Sequence, residues 1–152
     1  MYLKNKKFPR KSSKRKTLEE MSFRELEKVL DRVFSEYIRL RSADENGYCH
    51  CITCGAIHHW KDIDCGHYLP RARQVTRYDV LNCFPQCHKC NRYRSGEHDL
   101  FRNELVRFYG KSVVEALEQK AMLGGGFDTY QLKQMIISYR EEVKKIKLEK
   151  GL

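Results

Sequence analysis

Leu26, Val29, Leu30, Val33, Phe34, Tyr37 and Ile38 recur at intervals of three and four, the spacing of one helical face. Ser22-x-x-Glu25 just upstream fits a capping box, and Asp44-Glu-Asn-Gly47 is turn chemistry, so this helix is expected to end near Ala43. Thr17 with Glu20 offers a second start. Further on, Leu100, Phe101, Leu105 and Phe108 form a shorter stripe closed by Gly110. Val113, Val114, Leu117 and Met122 form another, stopped by Gly124-Gly125-Gly126. Asp128-x-x-Gln131 can cap a last helix carrying Leu132, Met135, Ile136, Tyr139, Val143 and Ile146.

Between these helices the period disappears. Residues 48–95 are rich in Cys, His and aromatics, and Tyr48 to Ile52, Ile57 to Tyr68 and Cys83 to Gln86 suggest short strands, followed by a helix from about His88. The expected fold class is α+β: a small metal-stapled ββα core flanked by N- and C-terminal α-helices. The organisation divides into a disordered basic arm (1–16), an N-terminal helix (17–47), the core (48–98) and a C-terminal helical region (99–152).

Composition sharpens this picture. Charged residues reach 33% and hydrophobic ones 41%, so the core should be small, which is where a metal staple matters most. No apolar run approaches membrane-spanning length, and the basic N-terminus has no apolar stretch behind it to read as a secretory signal, so a cytoplasmic location is expected, with no membrane partner. A net charge of +10, with eight Lys and Arg among residues 4–16, favours a polyanion such as DNA. A merely solvated basic surface is the plainer alternative.

Two Cys-x-x-Cys pairs, Cys51/Cys54 and Cys87/Cys90, can offer four thiolates to one tetrahedral ion, the closed type of structural zinc site. Cys49, Cys65 and Cys83 are left over as small buried side chains. The bracket encloses His67, whose imidazole can take a proton from water near neutral pH. Asp64 and Asn91 are the nearest oxygen ligands for a hard divalent ion, magnesium or manganese, with His98 as rival and Asp62 third. Strand alternation sets Asp64 and His67 on opposite faces unless a bulge at Gly66 corrects it. Asn82 can hydrogen-bond across the hairpin and hold the loop presenting His67. Arg71, Arg73, Arg77, Lys89, Arg92 and Arg94 could contact phosphates, with Tyr68, Tyr78 and Tyr93 interleaved to meet sugars or unpaired bases.

His67, Asn82 and Asn91 among two Cys-x-x-Cys pairs resemble the HNH, or ββα-metal, endonuclease pattern. More closely, Cys51-Ile-Thr-Cys54-Gly, Asp64-Cys-Gly-His67-Tyr, Arg77-Tyr-Asp-Val-Leu-Asn82, Gln86-Cys-His-Lys-Cys-Asn91 and Ser95-Gly96 resemble the phage NinG (Rap) family over residues 27–148. The resemblance implies a metal-dependent, structure-specific DNA endonuclease acting on branched recombination intermediates, Holliday junctions and D-loops. It implies His67 as general base, Asn82 as its positioning residue and Asn91 as a ligand of the catalytic metal. Many HNH members carry a metal-binding Asp or His immediately before the base, where this chain has Gly66. A homodimer and a monomer are equally consistent with the sequence. The reading from another class is a non-catalytic zinc-binding module that docks on DNA or RNA.

Overall fold

The structure, a computed structural model, describes residues 16–152. The basic arm expected over residues 1–16 lies outside the described residues except for Lys16. Helix α1 (Phe23–Ser42) begins at Ser22, whose side chain and that of Glu25 cap each other's backbone, and ends at Ala43. Thr17 and Glu20 make a second capping box, around a separate single 3-10 turn at Leu18–Glu20. Both start signals are therefore used, by different elements.

The segment expected as one strand from Ile57 to Tyr68 is two. Strand β1 (Tyr48–His50) pairs antiparallel with β2 (Ile57–His59), while β3 (Asp64–His67) pairs antiparallel with β4 (Cys83–Gln86) in a separate two-stranded sheet. The Trp60–Ile63 turn breaks them apart because Trp60 and Ile63 are buried against Leu40, Ala43 and Cys49. The two sheets are tied where Ile52 N–H donates to the Pro85 carbonyl (2.9 Å). A short helix α2 (Gln74–Arg77), absent from the sequence reading, lies between β3 and β4.

The expected helix from about His88 is also corrected. Lys89–Tyr93 forms a five-residue π-type turn, after which Ser95, Gly96 and Glu97 all take left-handed backbone conformations and reverse the chain. Regular helix resumes only at α3 (His98–Tyr109), followed by α4 (Lys111–Met122) and α5 (Thr129–Lys150), the last capped by Asp128 and Gln131 and terminated at Gly151 with φ +70°. This is a mixed α+β architecture.

Helices α1 and α5 run parallel. Leu132 and Ile136 of α5 pack with Leu26, Leu30, Phe34 and Ile38, and Val143 and Ile146 pack with Leu40 further along. Lys150 donates to the Leu40 and Ala43 carbonyls, satisfying acceptors that the end of α1 leaves open. A third apolar cluster joins Tyr68 to Phe101, Leu105, Val114 and Leu117. The helical stripes are thus half right in α3 and α4, where Leu100, Phe108, Val113 and Met122 stay exposed.

Candidate functional site

The four cysteines of the two knuckles meet. Cys51, Cys54, Cys87 and Cys90 offer sulfurs that lie within 4.8 Å of one another, and Cys54 and Cys87 Sγ are 3.8 Å apart. A tetrahedral zinc with bonds of about 2.3 Å sets its sulfurs roughly 3.8 Å apart, so the spacing fits that ion. Burial raises the pKa of the Cys51 thiol, yet hydrogen bonds from the Cys87 N–H (3.3 Å) and the Thr53 hydroxyl (3.3 Å) bring it down to about 6, whereas burial pushes Cys90 up to about 12. Cys51 is therefore already biased toward the thiolate that a metal requires. The cluster can hold a structural metal such as zinc, and it clamps the β1–β2 turn to the end of β4.

Beside it, on the β3–β4 hairpin, Asp64, Cys65, His67 and Asn91 line one depression of about 480 Å³ with Lys28, Asp31 and Arg32 of α1. The ladder is continuous from Asp64↔Gln86 to His67↔Cys83, with no bulge at Gly66. Asp64 still reaches the depression lined by His67, because it sits at the first position of β3, where the π turn passes. There Asn91 Nδ2 donates to it (3.0 Å), Arg92 grips both oxygens (2.9 and 2.8 Å) and His88 Nδ1 approaches to 2.8 Å. Burial would raise this carboxyl, but the bonds from Arg92, His88 and Asn91 outweigh it and hold Asp64 below its ordinary range.

His67 is partly buried, and its Nε2 lies 3.0 Å from the Arg77 carbonyl. A carbonyl only accepts, so Nε2 carries the proton and Nδ1 keeps its lone pair. Burial lowers the imidazole's proton affinity below 6.5 despite the opposing pull of the Arg77 carbonyl, with the Arg71 charge assisting. The ring is consequently neutral at physiological pH.

Asn82 is completely buried. Its Oδ1 accepts from Leu69 N–H (2.7 Å), and its Nδ2 donates to the carbonyls of Leu69 (3.1 Å) and Thr76 (2.9 Å). One amide side chain thus closes the loop that leads away from His67. Gly66 pairs with Phe84, and a Cβ there would stand 2.4 Å from Gln86 Oε1 and 2.7 Å from Gln86 Cβ. Glycine at this position is a steric requirement of the hairpin, so a side-chain ligand cannot occupy it.

His98, at the start of α3, stacks on Tyr68 (4.6 Å between centroids, 27° between planes) and shares a second depression with His67 and Asn91. Asp62 is exposed in the β2–β3 turn and lines neither depression. Among the proposed phosphate contacts Arg77 must be corrected. Its guanidinium is only 14% exposed and bonds Asp31 (3.0 and 2.6 Å) and Glu27 (3.1 Å) of α1, which fixes α2 and with it the carbonyl that orients His67. Arg71 also meets Asp31 but is half exposed; Arg73 and Lys89 are exposed; Arg92 pairs with Asp64 and Arg94 with Glu97. Tyr68 and Tyr78 are buried, leaving Tyr93 as the exposed ring of the three.

Sequence reasoning missed Glu27, Lys28, Asp31, Arg32 and His88. Lys28, Asp31, Arg32 and Ser35 do form a polar helical stripe beside the apolar one, but nothing local says what it faces.

Comparison with known proteins bears on the whole chain. A family model described as "Bacteriophage Lambda NinG protein" matches residues 3–149. Proteins named ninG from Escherichia phage 933W and Enterobacteria phage VT2-Sa are each 32% identical over 94 residues, and that of Escherichia phage lambda is 31% identical over the same length. Each alignment covers 60% of this chain and 43% of the relative, so the chain matches less than half the length of these curated proteins. No solved structure matches. From the match over nearly its full length, the chain belongs to the NinG family.

Proposed function

We propose that this protein is a divalent-metal-dependent DNA endonuclease with an HNH-like core, hydrolysing phosphodiester bonds in branched DNA of the kind formed during recombination. The observation that carries the reading is the meeting of His67, Asp64 and Asn91 in one depression, with the imidazole neutral and its proton held on Nε2. The branched substrate rests on the likeness to the Rap members of the family.

The residues divide the work. His67 Nδ1 accepts the proton of a water attacking phosphorus, and the Arg77 carbonyl stabilises the imidazolium that results. Asn82 holds the Leu69–Thr76 loop and so the approach to His67. Asp64 carboxylate and Asn91 amide oxygen form a hard donor pair suited to magnesium or manganese, which when bound would stabilise charge on the leaving 3′ oxygen. Lys28, Arg32, Arg71 and Arg92 line the same depression and can meet phosphates flanking the scissile bond. Arg92 is 62% exposed and can exchange Asp64 for a DNA phosphate. The products would carry 5′-phosphate and 3′-hydroxyl ends.

The deciding experiment compares cleavage of a labelled four-way junction with linear duplex, in magnesium or manganese, in EDTA, and with His67→Ala. Metal-dependent cutting that prefers the junction and falls roughly two to four orders of magnitude in the variant, with DNA binding intact, is expected. Equal cutting of duplex removes the branched substrate. No cutting by folded, zinc-loaded protein leaves the non-catalytic DNA- or RNA-binding module.

A further inference from the structure

Three potential soft-metal ligands outside the four-cysteine cluster also converge. Cys65 and His67 are two apart on β3 and therefore share a face, and Cys83 stands directly across from His67 on β4. Their ligand atoms all lie within 4.8 Å of one another, the same spread as in the four-cysteine cluster. Cys65 and His67 line both depressions while Cys83 is fully buried behind them, so the grouping opens to solvent on its Cys65–His67 side. Cys49, the remaining free thiol, donates to the Arg39 carbonyl (3.2 Å) among Trp60 and Ile63, outside both groupings; Cys83 donates to the Arg77 carbonyl (3.7 Å), a bond it would exchange for the metal.

We infer that Cys65, His67 and Cys83 form a second, open, thiophilic metal site whose occupation by zinc takes His67 out of hydrolysis. Two thiolates and an imidazole suit zinc, and about 3.5–3.8 Å between ligands of a tetrahedral ion is reached by small side-chain movements. A disulfide is the poorer outcome. The register puts Cys65 opposite Pro85 and Cys83 opposite His67, so the thiols sit on a diagonal, where Cα atoms are about 7–8 Å apart. The consequence for catalysis follows from the ring itself. Neutral imidazole has one lone-pair nitrogen and one N–H; whichever nitrogen binds the ion, the other carries the proton, and none is left as a base. Four thiolates hold zinc more tightly than three ligands with an open position, so the closed cluster fills first. The inhibitory consequence rests on the nuclease reading; the metal site does not.

The test uses the full chain dialysed against zinc buffers of rising free concentration. Metal per chain is measured, and cobalt substitution reports thiolate coordination by its charge-transfer absorption. Wild type should pass from one to two zinc ions, while Cys65→Ser, a partly buried position, and Cys83→Ala should stop at one, with thermal melting confirming that each is folded. Junction cleavage in magnesium should fall at least tenfold as the second zinc enters wild type, whereas Cys65→Ser, whatever its starting rate, should show no zinc-dependent fall. One zinc per chain throughout, or a second that persists in both variants, overturns the site. Cleavage that rises with the second zinc overturns its inhibitory role. A second zinc lost in the variants, with no cleavage under any condition, supports the site and removes the nuclease reading instead.

Discussion

The four-cysteine cluster and the His67 depression lie side by side on the same short hairpins and differ in every respect that matters to chemistry. The cluster gathers one residue type, and three of its four cysteines are buried. Its neighbours donate hydrogen bonds to sulfur, and its four thiols could fill a tetrahedral ion's coordination with no place left for water. The depression gathers carboxylate, amide, imidazole and guanidinium groups, keeps solvent on one side, and is assembled from four separate segments: α1, β3, the π turn and the loop after β3. Closed, uniform sites hold a fold together; open, mixed ones are where bonds can change.

Substitutions should separate these two regions. The largest effect is expected in the cluster. Structural zinc in small domains can supply about 10–16 kcal/mol of folding free energy, so Cys87→Ser should lose its zinc and its central structure together. Near-ultraviolet circular dichroism and metal analysis would check this; a soluble, zinc-free, fully active Cys87→Ser protein would sink the structural role. Next comes Asn82→Ala, which strands the Leu69 N–H and the Leu69 and Thr76 carbonyls. A loss of about 3 kcal/mol in urea unfolding is expected, with DNA cleavage reduced as the loop loosens. Gly66→Ala should cost roughly 1–3 kcal/mol by driving a methyl into the Gln86 side chain, and a variant as stable as wild type would refute the steric account.

A pH profile sharpens the contrast without any substitution. Burial keeps the folded His67 pKa below 6.5, so the base form persists to lower pH than in a free histidine. Cleavage should hold level near neutrality and decline tenfold per unit only below that depressed value. The stability sign agrees: unfolded chains take up the proton first, so His67's contribution is complete above 6.5 and is lost as pH falls. An acid limb centred above 6.5 would contradict the buried, neutral ring. At the small end, Lys111→Ala removes an exposed i,i+4 pair with Glu115 and should change stability by less than about 0.5 kcal/mol.

What the sequence made legible was local. Ser22 with Glu25, and Asp128 with Gln131, announce α1 and α5 because capping is settled within four residues. The cysteine pairs announce their cluster because the ion's geometry demands that spacing. What stayed hidden depends on distant partners. Arg77 reads as a surface cation until Glu27 and Asp31, 50 and 46 residues away, claim it. Helix α2, four residues long, has no period to detect and is held by those same acids. Asp64 joins His67 through a turn whose π geometry no simple periodicity signals, and the alternation rule, correct for the ladder, does not describe its first position.

The parallel pairing of α1 with α5 also sets an order of events during synthesis. Leu26, Leu30 and Phe34 emerge early, but Leu132 and Ile136, which cover them, are made about a hundred residues later. The knuckles need only the segment through Cys90 to close. On the ribosome, metal capture can therefore precede completion of the main apolar core. A nascent chain carrying zinc but lacking α5 would still display a greasy helix, the segment most exposed to chaperones and to aggregation.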